Sequence, residues 1–281
     1  MKWVDIWPRH KTRNSRVLLV PDQWSGSVQE FYHFLLGYFA PLVLWLHKHP
    51  DKPFSVRDCG PMNPWFEILP GNPDLEVLTP GDMLHLFAAR SRPSAVLRGM
   101  DDPHRFSANL LKTFRNLVLS AHGIEGSTGG QQVTVIDRLS SGTFNKTTAA
   151  EVPASGRDVR STPNLSQLAA AALDPVEDLA WQVVDSAEIS PRGQLDLFSS
   201  TTILIGLHGA GLANMIWMPP GGSIVEIQPP RPDYEPPFFQ NLARECGHSY
   251  TRIDQEHDHA EIPEDQFLPV MSHLLKSGAS P

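Results

Sequence analysis

The sequence predicts an α/β protein built on parallel β-sheet, and three observations carry that prediction. Short apolar, β-branched runs recur through the second half of the chain, each separated from the next by a segment of helical spacing. Gly206 to Asn214 is glycine-rich and lies between two such runs, so that strand, turn, helix and strand form a complete crossover unit. Finally, the chain has 281 residues, 41% hydrophobic and 19% charged, enough for two modest domains with cores that need neither disulfides nor metals.

Taken in order, Arg16 to Val20 reads as a buried strand ended by Pro21 and followed by a polar stretch, Asp22 to Gly26. Ser27-Val28-Gln29-Glu30 has the form of a capping box, and Val28, Phe31, Tyr32, Leu35, Phe39, Leu42 and Leu46 keep helical spacing. A helix is expected there, kinked or broken near Pro41. Pro50 to Pro103 suggests short strands and helices joined by loops, and Ser107 to Ser120 a clearer helix. His122 to Gly130, rich in Gly, Ser and Thr, marks a boundary between domains 1–125 and 126–281.

Beyond that boundary the alternation is regular. Gln132 to Ile136 is a strand, Asp137 to Thr162 a loop, Asn164 to Leu173 a helix and Trp181 to Asp185 a strand. A helix from Pro191 to Ser199, capped by Ser190, precedes the strand Thr201 to Ile205. The glycine-rich turn enters a helix ending near Trp217, and Ser223 to Ile227 is the next strand. Phe238 to Cys246 reads as a helix stopped by Gly247, and Pro263 to Leu275 as a terminal one.

Charge and cysteine content narrow the classes. A net charge of −8 argues against a general nucleic-acid binder, which needs a basic footprint. Cys59 and Cys246 are too few for a disulfide framework, and free thiols are favoured over one bridge between distant segments. No long apolar run follows Met1, so neither a secretory signal nor a membrane segment is expected, and the residues do not fix a compartment.

In Gly206-Leu207-His208-Gly209-Ala210-Gly211 the small residues let backbone approach a ligand where a helix begins. Free amide N–H groups and the helix dipole there stabilise an anion such as a diphosphate. Carboxyl ends of parallel strands are also where open α/β sheets place ligands. Tight packing is the other use of such glycines.

The segment through Ile227 resembles the signature of glycosyltransferase family 61. That pattern is a glycine, any residue, His-Gly-Ala-Gly-Leu, any residue, Asn, then Met-x-Pro-Gly and an apolar strand ending in Glu. Gly206, His208 to Leu212, Asn214, Met218, Pro219, Pro220, Gly221 and Val225-Glu226-Ile227 stand at those places. Upstream, Glu30 to Leu36 is similar to the family's aromatic-Tyr-His-Trp-Leu-Leu segment, with Phe34 in place of Trp, and Gln194 to Phe198 resembles the helix before the signature. Ile136-Asp137-Arg138 with Asn145 resembles an arginine-rich motif, but the second arginine is missing and Lys146 replaces the usual Glu. A lysine does not reproduce a bidentate arginine clamp.

The resemblance implies a GT-B-like fold, two Rossmann-type domains facing a cleft, with the acceptor on the first and the nucleotide sugar on the second. It implies an inverting glycosyltransferase of the O-linked N-acetylglucosaminyl/xylosyltransferase kind, using a UDP-sugar as donor substrate with no obligatory cofactor, and a protein or polysaccharide acceptor. Eukaryotic relatives work in the Golgi or endoplasmic reticulum. His208, Gly209, Ala210 and Gly211 are the candidate diphosphate ligands, with Arg138 as a second and Glu226 as an acceptor for ribose hydroxyls. His33, or else Asp22, is the candidate base, the alternative for His33 being packing against Tyr32 and Leu36. Asn214 is expected to hold the turn. His257-Asp258-His259 reads as a solvated loop, and without an Asp-x-Asp pair metal independence is expected. The competing readings are an α/β-hydrolase, which lacks its Gly-x-Ser-x-Gly elbow, and a catalytically degenerate nucleotide-sugar-binding protein.

Overall fold

A computed structural model describes residues 16–23, 25–89, 94–124, 130–138, 144–146, 151–153, 159–231 and 237–277. The chain forms two compact units, Met1–Gly123 and Ile124–Pro281.

In the first unit, β1 (Val17–Pro21) leads into a long interrupted helix: α1 (Phe31–Phe34), a π-helical segment (Leu35–Phe39) and α2 (Ala40–Lys48). β2 (Phe54–Arg57), a 3-10 segment (Gly60–Ile68), β3 (Leu75–Leu78), α3 (Pro80–Ala89), β4 (Ser94–Leu97) and α4 (Ala108–Ala121) follow. The sheet is parallel in the order β3-β2-β1-β4. Successive strands step outward from β1 to β3, then β4 returns to the other side of β1. Phe34, Phe39, Phe66 and Phe114 are buried above it, with Phe39 stacked on Phe34 and edge-on to Trp65 and Phe114.

The irregularity expected near Pro41 lies just before it. Ala40 N–H bonds the Leu35 carbonyl five residues back, the wider loop of a π-turn. Pro41 then follows directly in α2 without an N–H to donate, and the Leu36 carbonyl of the preceding turn accepts from the Met100 amide at 2.8 Å. The capping box does not close: Glu30 caps α1 without a side-chain bond, and Ser27 Oγ accepts instead from the Gln29 amide at 3.3 Å.

In the second unit, β5 (Gln132–Ile136) precedes an antiparallel hairpin of β6 (Phe144–Lys146) and β7 (Glu151–Pro153), within what the sequence suggested was only a loop. Then come α5 (Leu165–Leu173), β8 (Ala180–Val184), α6 (Pro191–Phe198), β9 (Ile203–Leu207), a 3-10 helix (Ala210–Trp217), β10 (Ser223–Gln228), α7 (Phe238–Cys246), β11 (Ser249–Asp254) and α8 (Glu264–Ser277). The five-stranded sheet is parallel, ordered β11-β10-β9-β5-β8. Here too the order reverses beside the first strand, between β5 and β9, as in doubly wound sheets. Three details depart from expectation, the first being β11, a strand that the sequence did not suggest. β9 runs two residues further than the sequence suggested, so Gly206 is a strand residue, and the turn enters a 3-10 rather than an α-helix. Ser190 caps α6 as expected, accepting from the Gly193 amide at 3.2 Å. Cys59 and Cys246 are free thiols, and no helix among the described residues is long and apolar enough to cross a membrane.

The second core joins Val133, Val135, Ile205 and Val225 to Leu168 of α5 and Phe267 and Met271 of α8. Phe267→Ala removes a fully buried ring. We expect it to lower unfolding free energy by about 3–5 kcal/mol, read from chemical denaturation followed by circular dichroism.

Candidate functional site

The carboxyl ends of β5 and β9, on either side of the strand-order reversal, carry the residues singled out in the sequence. After β5, Asp137 fixes the backbone: its Oδ1 accepts from the Arg138 amide at 2.8 Å and its Oδ2 from Ser166 Oγ at 2.9 Å. After β9, the His208 amide continues the sheet by donating to Ile227 O at 2.8 Å. Its carbonyl turns outward and accepts from Arg138 Nη2 and from Arg160 Nη1, each at 3.2 Å. A Cβ at Gly209 would displace the Arg138 guanidinium from this position. Gly209, Ala210 and Gly211 then open the 3-10 helix, where the first N–H groups have no intrahelical acceptor. Asn214, fully buried, donates to Gly211 O at 3.2 Å and closes the turn.

The His208 ring is fixed from behind. Its Nδ1 bonds Glu226 Oε1, and its edge meets Phe239 with centroids 5.2 Å apart. Glu226 is only 2% exposed, and its Oε2 accepts from Tyr250 Oη at 2.6 Å. Both oxygens of the residue expected to meet a ribose therefore have partners within the protein. Burial, then the charge and hydrogen bond of Glu226, push the Tyr250 hydroxyl well above its ordinary range, so it remains a donor.

Around this turn positive charge converges. Burial lowers the Arg138 pKa to about 10; Arg160 and Arg231 push it the same way, opposed by Asp185 and Asp258. Three guanidinium groups thus act on one another, a setting that an anion relieves. Arg160 is held in place by the last strand and the loop after it. Its Nε pairs with Asp258 at 3.5 Å, Ser161 N donates to Asp258 O at 2.9 Å, and Gln255 Nε2 donates to Ser161 O at 2.8 Å. The loop containing His257, Asp258 and His259 is exposed, yet it anchors this arginine.

The first unit has an analogous arrangement at its own reversal. His33 Nδ1 bonds Asp101 Oδ2 at 2.9 Å, joining the helix after β1 to the segment after β4. Asp101 Oδ1 accepts from Ser25 Oγ at 3.1 Å and its Oδ2 from the Gly26 amide at 3.3 Å. Gly26 lies so close to the His33 ring that a Cβ would overlap it. The His33 side chain is 32% exposed and that of Asp101 9%. Asp22, at the end of β1, lines a cavity of about 430 Å³ together with Ser25, Gly26, Gln29 and Arg57.

Arg138, His208, Gly209 to Gly211 and Glu226 are therefore brought together, and His33 and Asp22 stand at the carboxyl edge of the first sheet. Asp101, Arg160, Arg231 and Tyr250 were missed by sequence reasoning. Of these, only Asp101 had a local signal, as a carboxylate just after a short apolar strand.

The second unit is an α/β unit of the doubly wound class, with Arg138 and Arg160 on the glycine-rich turn at its strand-order reversal, where open α/β sheets place ligands. Within that class the chain belongs to glycosyltransferase family 61: the Glycosyltransferase 61 profile matches residues 31–225, and the protein is a glycosyltransferase. No curated protein matches the chain.

Tyr250→Phe leaves one oxygen of a buried carboxylate without its donor. The expected loss is about 1.5–3 kcal/mol of unfolding free energy, the range for a hydrogen bond to a charged group, measured by urea titration.

Proposed function

We propose that the protein is an inverting glycosyltransferase that moves a sugar from a UDP-sugar to a hydroxyl of a protein or glycan. The convergence of Arg138 and Arg160 on the His208 carbonyl, with Arg231 adding its charge, supports this reading most directly. In a GT-B-like arrangement the second unit holds the donor and the first deprotonates the acceptor.

The acceptor oxygen bonds the anomeric carbon as the bond from that carbon to the diphosphate oxygen breaks, in one displacement that inverts the centre. Negative charge grows on the diphosphate. Fixed guanidinium groups and the Gly209, Ala210 and Gly211 amides are placed to stabilise it without reorganising. With Nδ1 taken by Glu226, Nε2 is the His208 nitrogen left to meet the diphosphate. Glu226 is then a positioning residue rather than a ribose ligand. Charge neutralisation by these groups calls for no obligatory cofactor.

The acceptor proton goes to His33 Nε2. Asp101, ionised, holds the proton on Nδ1 and leaves Nε2 as the basic nitrogen. Asp22, in the adjoining cavity, is the second candidate for the base.

Isothermal calorimetry with UDP tests the donor site. Wild-type protein is expected to bind in the micromolar range, and His208→Ala and Arg138→Ala each to weaken binding about tenfold or more. A folded wild type that takes up no UDP sinks the assignment. For the base, His33→Ala should lower kcat by about 10²–10⁴-fold with UDP affinity intact, the usual range for losing general base catalysis. Asp101→Asn should give a smaller loss in the same direction, and wild-type turnover in either variant removes the pair from the mechanism.

A further inference from the structure

We infer that the polar cavity at the carboxyl ends of β1 and β2 is a subsite for an acidic sugar, and that Arg57 selects its carboxylate. The cavity measures about 430 Å³, within the ~300–1,000 Å³ typical of small-ligand sites. Ser25, Ser27, Gln23 and Gln29 contribute hydroxyl and amide groups to its wall, the chemistry that pairs with a polyhydroxylated ring. Gly26, part of the same wall, lies against the His33 ring, so a bound ring sits beside the proposed base.

Arg57 is the one cationic residue among those lining the cavity. It stands half-buried at the last position of β2 and makes no ion pair among the described residues. The nearest carboxylate in sequence, Asp58, is turned into its own loop, where Oδ1 accepts from the Gly60 amide at 2.8 Å and from Asn63 Nδ2 at 2.7 Å. A ligand carboxylate supplies the planar partner that a guanidinium binds through two parallel hydrogen bonds. Asp22 shares the lining, and its charge disfavours a phosphate dianion more than a singly charged sugar acid.

The transferase reading enters only in naming the occupant an acceptor; binding itself is tested independently of it. Saturation-transfer NMR on the full chain would compare glucuronate, glucose and glucose 6-phosphate, with UDP calorimetry on the same samples. Glucuronate is expected to bind in preference to the other two. Arg57→Gln should weaken it at least tenfold, Arg57→Lys should retain part of the affinity, and both variants should bind UDP as the wild type does. Equal binding of glucose, stronger binding of glucose 6-phosphate, unchanged glucuronate binding by Arg57→Gln, or no glucuronate binding by the wild type would each overturn the inference. Should Arg57→Gln not fold, the wild-type ligand preference and Arg57→Lys decide. Loss of UDP binding with glucuronate binding intact would instead count against the donor site alone.

Discussion

Strand order is the constraint on which both candidate sites depend. In a parallel sheet each crossover is right-handed, so a chain that reverses its direction of growth sends the next helix to the opposite face. The two connections part at the reversal and leave a crevice beyond the carboxyl ends of the strands. In the second unit that reversal lies between β5 and β9, the strands that deliver Arg138 and His208. In the first it lies between β1 and β4, which deliver His33 and Asp101. No single loop builds either arrangement; each is assembled from two connections that only the sheet brings together.

Within the second crevice, Glu226 dictates how the parts are held. A carboxylate this buried is tolerated only if both oxygens are satisfied, and its partners come from both neighbouring strand connections: His208 after β9 and Tyr250 in β11. The pairing register places Glu226 opposite Gly206 on one side and Arg252 on the other. Satisfying the carboxylate fixes the imidazole, while the His208 amide remains in the sheet and its carbonyl is left for the arginines. The requirement of a buried carboxylate thus becomes the geometry of a half-buried turn.

How much of this was readable from sequence follows from how local each contact is. Four strands of the second unit, β5, β8, β9 and β10, stood out because their apolar runs are short and rich in β-branched residues, and Gln132 to Ile136 matched residue for residue, whereas β11, which opens on the polar Ser249-Tyr250-Thr251-Arg252, did not. The glycine-rich turn and Arg138 were visible as well, each at a strand end. The 3-10 geometry after Gly209 was not, since the apolar spacing of Leu212, Met215 and Ile216 serves either helix type. Asp101 lies 68 residues from His33, Arg160 48 from His208 and Tyr250 24 from Glu226. Such partners are chosen by topology, and no periodicity encodes them. The arginine motif shows the same limit: the missing second arginine is a gap in the sequence pattern, whereas in space Arg160 reaches the carbonyl that Arg138 binds.

The two crevices use the same pair of groups, an imidazole backed by a carboxylate, and their surroundings give them different chemistry. In each, the carboxylate takes Nδ1 and fixes the ring, leaving Nε2 for a ligand. Around His208, two guanidinium groups bind its own carbonyl, so the local field favours an incoming anion, and the carboxylate behind the ring, Glu226, is more deeply buried. At His33 the polar partner among the described residues is Asp101, and the ring is more exposed, beside the glycine wall of a polar cavity. In the proposed function, Nε2 of this ring is the nitrogen that receives the proton. Under the proposed function, donor and acceptor sides differ in where the arginines stand, Arg138 and Arg160 on the His208 turn itself and Arg57 in the cavity near His33, because the histidine–carboxylate pair is common to both.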